Sequence, residues 1–238
     1  MAKKNKNTAA AKRQYDKSSL YGADDALDLV RSMAFAKFDE SVDAVFNLGI
    51  DARKADQLVR GTVSLPHGTG KEVRVVAFVG GEKLAEAEEA GADIIGGKEL
   101  AEEISARRDL DFDIAIAAPD MMPHVGKLGS ILGPRGLMPN PKSGTVTPDV
   151  GKAIKEFKAG RVEYRNDRYG NVHVPIGKVS FESEQLTANF AVVADEIIRA
   201  RPAAAKGRFV RRVTVSSTMG PGVNIDPGKV EDLVKSLH

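Results

Sequence analysis

The sequence contains no cysteine. That excludes disulfides, a thiol nucleophile and any cysteine metal site, and it suits a reducing cytosol. Long apolar runs are missing as well. None reaches membrane-spanning length, and the basic start MAKKNKNTAAAKRQ lacks the apolar stretch of an export signal. A soluble, cytoplasmic protein with no membrane partner is expected. Histidine is scarce, and His67, His124, His173 and His238 show no metal-ligand spacing to one another or to carboxylates, so no metal or other cofactor is expected. The usual catalytic signatures are absent too. Ser130 is followed by Ile131 and Leu132, not by the glycine of a nucleophile elbow. The turn Gly80-Gly81-Glu82 lacks the dinucleotide glycine pattern and would set Glu82 against a phosphate. Gly133-Pro134-Arg135-Gly136 lacks the Lys-Ser/Thr pair of a P-loop. These missing constellations argue against an enzyme.

Net charge is also small, +2 over 238 residues, but its distribution is uneven. Lys and Arg number 11 against 9 acidic residues in 1–67, 12 against 15 in 68–159, and 12 against 9 in 160–238. If the two ends form one body, that body is the one suited to a polyanion. The length and the 42% apolar content allow one large domain or two ordinary ones.

The hydrophobic period supports two bodies. Residues 1–20 carry six cations against one acid and read as a flexible basic arm. Asp24 and Asp25 open a helix with Leu27, Val30 and Ala34 at helical spacing, expected to end near Lys37-Phe38-Asp39. From Ser41 the period becomes two, with Val42, Ala44, Phe46 and Leu48 on the buried side. Val73–Val79 is instead a continuous apolar run, as in a strand covered on both faces, and two further strand–helix alternations follow it. Thr147-Pro148-Asp149 starts another helix and Gly160 ends it. Alternation then returns through Val162–Ile176, followed by an amphipathic helix from Ser183 to Arg201 that Pro202 stops. The last strand buries Val213 and Val215 and sets Arg212, Thr214, Ser216 and Thr218 on its other side. A discontinuous domain, 1–67 with 160–238, interrupted by an α/β domain over 68–159, is the expected organisation. Two crossings between bodies are where a hinge is expected.

Two stretches stand out chemically. Lys127–Lys142, KLGSILGPRGLMPNPK, holds three glycines, three prolines and three cations, and is expected to be mostly a shaped loop. It reads either as a phosphate-facing loop through Arg135 and its backbone N–H groups, or as a structural connector, the commoner kind. The hydroxyls of Thr214, Ser216 and Thr218 read either as partners for a ribose 2′-OH, with Gly220 permitting close approach, or as a solvated strand face.

Several separated motifs carry a resemblance. KFDESVD (37–43), QLVRGTVSLPHGTGK (57–71), EAGADIIGG (89–97), the 127–146 loop, EYRND (163–167) and STMGPGV (217–223) together resemble the bacterial large-subunit ribosomal protein L-one family. The likeness runs from about Tyr21 to Ile225. It implies a mixed α/β and α+β fold: a split ferredoxin-like β-α-β domain with an inserted Rossmann-like domain. It also implies binding to large-subunit ribosomal RNA at the mobile stalk, contact with exit-site tRNA and release of deacylated tRNA, and repression of translation of the protein's own messenger RNA. Off the ribosome the resemblance implies a monomer. The implied RNA contacts are Lys37, Phe38, Asp39 and Ser41; Arg165, Asn166, Asp167 and His173; and Ser216, Thr218, Met219 and Gly220. Lys127, Arg135 and Lys142 take a secondary RNA or interdomain role. Positions 216 and 217 are both serine here, where the family commonly has threonine. The alternative is a nucleotide-binding α/β enzyme using the Lys127–Lys142 loop. A DNA-binding regulator is disfavoured because no helix has clustered basic residues.

Overall fold

The computed structural model describes residues 6–81, 83–107 and 110–235. Glu82, His238 and the first five residues of the basic arm lie outside them. The helices are α1 (Lys6–Ala11), α2 (Ala23–Ser32), α3 (Lys83–Glu89), α4 (Lys98–Arg107), α5 (Met122–Val125), α6 (Gly129–Leu132), α7 (Val150–Lys158), α8 (Ser183–Arg199) and α9 (Pro227–Lys235). The strands are β1 (Ser41–Leu48), β2 (Arg60–Ser64), β3 (Val75–Phe78), β4 (Ile94–Gly96) and β5 (Ile114–Ala117). They continue with β6 (Arg161–Arg165), β7 (Asn171–Lys178), β8 (Val210–Ser217) and β9 (Val223–Ile225). The chain divides into two compact units, Met1–Gly70 with Val162–His238, and Lys71–Arg161.

In the first unit an antiparallel sheet has the order β7-β1-β8-β9. The two-residue period of β1 puts Val42, Ala44, Phe46 and Leu48 on one face, where they meet Leu27 and Val30 of α2 and Leu186, Phe190, Val193 and Ile197 of α8. Phe46 stacks on Phe190 with ring centroids 5.8 Å apart. Both helices serve one face, so the polar positions of β1, β7 and β8 remain on an open one. Buried Asn189 of α8 donates to the carbonyls of Gly68 (2.9 Å) and Ile176 (2.7 Å) and accepts the His67 N–H (3.1 Å), fixing the segment after β2.

The second unit has a parallel sheet, β4-β3-β5. Its central strand explains the unbroken apolar run. Val75, Ala77 and Val79 pack with Ala87, Ile154 and Phe157 of α3 and α7, while Val76 and Phe78 pack with Ile104, Val125 and Leu132 on the opposite face.

Three expectations change. Helix α2 stops at Ser32, well before Lys37, because the N–H groups of Phe35 and Ala36 bond to the Glu40 carboxylate instead of to the helix. Residues 6–20 are folded onto the unit: Ala11 is buried, the Tyr15 hydroxyl donates to the Gly222 carbonyl (3.0 Å), and Asn224 donates to the Lys17 carbonyl (3.2 Å). The first part of Lys127–Lys142 is helical, in short turns up to Leu132, with Leu128 and Leu132 buried. Gly129 and Gly133 have ordinary helical φ, and within the stretch only Gly136 takes a positive value, 73°.

Candidate nucleic-acid interface

Because β1 and β8 are antiparallel neighbours, the segment entering β1 lies beside the segment leaving β8. Thr218 N–H donates to the Ser41 carbonyl (3.0 Å), and Ser41 N–H donates to Thr218 Oγ1 (3.0 Å). The Thr218 hydroxyl proton goes to the same carbonyl (3.3 Å). Lys178, at the end of β7, donates to Ser41 Oγ (3.0 Å). Asp39 accepts the Ser180 N–H (3.1 Å) and hydroxyl (2.8 Å), so its carboxylate positions the turn after β7.

Under this surface lies a carboxylate that sequence reasoning missed. Glu40 is 1% exposed. Its Oε1 accepts Phe35 N–H (3.1 Å) and Ala36 N–H (2.9 Å), and its Oε2 accepts Met219 N–H (2.9 Å). Burial by itself raises the carboxyl, but hydrogen bonds from Ser217, Met219, Ala36 and Phe35 outweigh it and hold the group below the ordinary carboxylate range. One buried acid thus ties the Lys37–Ser41 entry to the Ser217–Gly220 exit. Lys37 is exposed, and Phe38 and Met219 stand out as apolar side chains at 56% and 48% exposure.

Of the second predicted cluster, His173 lies further along the same sheet, whereas Arg165 ends β6, which pairs with β2 in a separate two-stranded sheet. His173 pairs with Val45, and Asn171 with Asn47, four and six residues along β1 from Ser41. Asp167 accepts N–H bonds from Tyr169 and Asn171, both 2.8 Å, and lies 4.0 Å from His173 Nε2. Burial raises its carboxyl, but those bonds, the Asn171 side chain and nearby His173 bring the net shift downward. Asn166 is buried, with its amide oxygen on Val59 N–H (2.8 Å) and its amide nitrogen on the Asp167 carbonyl (2.9 Å). Its side chain therefore holds the turn, while Arg165 and His173 face solvent. Of the hydroxyl line, Thr214 donates to Asn224 (3.0 Å) and Thr218 to Ser41; Ser216 alone has no partner among the described residues.

A family model, the ribosomal protein L1p/L10e family, matches residues 30–221. The large ribosomal subunit protein uL1 of Cutibacterium acnes (strain DSM 16379 / KPA171202) is 56% identical over 230 residues, covering 97% of this chain and 99% of that protein. The chain belongs to the ribosomal protein L1p/L10e family.

Membership makes this a structural, non-enzymatic protein and disfavours the nucleotide-handling reading. Among the described residues, no helix is long and apolar enough to cross a membrane. The L1p/L10e match takes in both segments around Glu40 and ends one residue past Gly220. It also spans Lys127, Arg135 and Lys142, which are exposed and belong to the second unit. A sequence signal for Glu40 existed: an acid immediately before a strongly alternating strand. Two of its partners, however, Ser217 and Met219, come from the far end of the chain.

Proposed function

We propose that the chain is a constituent of the large ribosomal subunit in the cytoplasm, and that it binds ribosomal RNA at the stalk through the open face of the β7-β1-β8-β9 sheet. We further propose that the two units are a split ferredoxin-like domain, close to residues 1–67 and 160–238, and an inserted Rossmann-like domain. Contact with exit-site tRNA, release of deacylated tRNA, repression of the protein's own messenger RNA and a monomeric state off the ribosome belong to the same reading. The observation that carries it is the Glu40-centred junction, which ties the segments of exposed Phe38 and Met219 together at the end of β8, where the Ser216 hydroxyl has no partner among the described residues. Small hydroxyls and accessible backbone suit a folded RNA shape with its 2′-OH groups, and apolar side chains suit unstacked bases. Lys37, Arg165 and His173 supply attraction and register. Lys127, Arg135 and Lys142 are assigned a secondary contact.

The test is binding to a stalk fragment of ribosomal RNA by the full chain and by a chain joining residues 1–70 to 162–238. Comparable affinities support recognition on the first unit. A folded joined chain that no longer binds overturns that assignment and returns the Lys127–Lys142 segment to the centre.

Thr218→Val is expected to cost about 1–3 kcal/mol of binding, since the Ser41 N–H and carbonyl both lose their hydroxyl partner at the edge of the surface. Titration at matched salt checks it, and unchanged affinity would remove Thr218 from the interface.

A further inference from the structure

We infer that the open sheet face carries a second RNA contact, a phosphate-binding site built on the guanidinium groups of the consecutive residues Arg211 and Arg212. The inference rests on the RNA-binding reading above and extends its footprint along the sheet. The alternation of β8 predicts that neighbouring side chains point to opposite faces. At this point the register breaks: Arg212 pairs with Asn47, but the next residue of β1, Leu48, pairs with Val210. Arg211 is therefore the extra residue of a β-bulge, the device that re-aims a side chain in a sheet. Both arginines are exposed, and together with Val45, Asn47, Asn171, His173 and Thr214 they line one concavity of about 610 Å³.

Charge identifies the ligand. Among the described residues neither guanidinium has a carboxylate or carbonyl partner. Among the described residues that line the concavity none is acidic, and the acids that touch its lining are otherwise engaged. Asp167 holds Tyr169 and Asn171, and half-buried Asp43, one rung further along, faces His173 and Lys178. Asn47 and Asn171 are bonded to each other (2.7 Å), a rigid polar floor that brings no charge. Two like charges held side by side without an acid repel, and an anion relieves that repulsion. A guanidinium pair fits the forked geometry of phosphate oxygens. The six residue steps of β1 from Ser41 to Asn47 place this site roughly 20 Å from the Ser41–Thr218 junction. One RNA running along the face then meets hydroxyls at one end and cations at the other, so the occupant is its phosphodiester backbone.

The test measures the affinity of the full chain for the stalk RNA fragment across a series of salt concentrations. The variants are Arg211→Gln/Arg212→Gln, Arg212→Gln alone, Thr218→Val, and Lys229→Gln as an exposed charge on α9. The double variant is expected to lower the slope of log affinity against log salt by about 1.5, the single variant by about half as much, and Lys229→Gln by little. Weakening should be uniform across RNA sequences, because backbone contacts carry no base information. An unchanged slope in the double variant, beside weakened binding by Thr218→Val, overturns the second contact and leaves the first. Absence of binding by the unaltered protein overturns the RNA reading itself.

Discussion

Glu40→Ala is expected to cost the first unit about 2–4 kcal/mol of stability and to abolish tight RNA binding. The substitution removes the acceptor for three backbone N–H groups, on Phe35, Ala36 and Met219, and for the Ser217 hydroxyl. Each donor left without a partner costs on the order of 1–3 kcal/mol when fully buried, and these are partly buried, so water offsets some of the sum. The functional loss is larger than the thermodynamic one because the two segments carrying Phe38 and Met219 are no longer tied together. Denaturant unfolding of the full chain and RNA titration of the folded fraction check both halves. A variant as stable and as tight as the parent would remove Glu40 from its central place.

Glu40 also sets a pH dependence. Its folded carboxyl titrates below the ordinary value of 4.5, so the folded state binds fewer protons than the unfolded one in this range. The stabilisation is complete above the unfolded value and is lost as pH falls through the folded one. In Glu40→Gln, stability is expected to fall less with acid than in the parent as pH drops from the unfolded value through the folded one, while Asp16, Asp93, Asp113 and Asp167, also lowered, contribute to the remaining slope.

Gly220→Ala is expected to weaken RNA binding at least tenfold through a steric effect inside the same junction. An added Cβ would stand 2.4 Å from Ser217 Oγ, a distance real side chains do not tolerate. Gly220 is not among the positive-φ glycines, so the backbone itself is not strained by alanine. The conflict is with Ser217, which is buried, accepts the Gly220 N–H (3.2 Å) and donates to Glu40. Moving it disturbs Glu40 and the Met219 backbone together, with a stability cost of about 1–3 kcal/mol. The mechanism has its own signature. In the Ser217→Ala/Gly220→Ala double variant the nearest remaining atom is Ser217 Cβ, at an ordinary 3.6 Å. The double variant is therefore expected to lose less stability than the sum of the two single ones. Strict additivity in unfolding experiments would show that the clash is not the cause.

The segments that form the proposed interface were legible because motifs and periods are local. KFDESVD and STMGPGV mark the two segments that the structure brings together at Ser41 and Thr218. The roles within them were not legible. For Asp39 and Asn166, both expected as contacts, the structure shows a local role as well: Asp39 accepts Ser180 and Asn166 holds Val59. Thr218, read as a partner for a ribose 2′-OH, also bonds to Ser41, and of the hydroxyl line Ser216 alone has no partner among the described residues. A side chain's availability depends on which groups surround it, and those groups come from distant parts of the chain.

The sequence by itself determined the alternating strands, the doubly covered strand around Val75–Phe78, the long helix before Pro202 and the uneven charge, since each follows from neighbours within a few residues. Only the tertiary structure decided where α2 ends, how Lys127–Lys142 divides between helical turns and loop, and that Arg211 and Arg212 share a face. Helix α2 ends where a competing carboxylate captures its N–H groups, and the Arg pair exists because β1 and β8 differ by one residue in register. Glu40 states the physical reason most directly: the Met219 N–H that completes its hydrogen bonding lies 179 residues away along the chain, a separation no local pattern encodes.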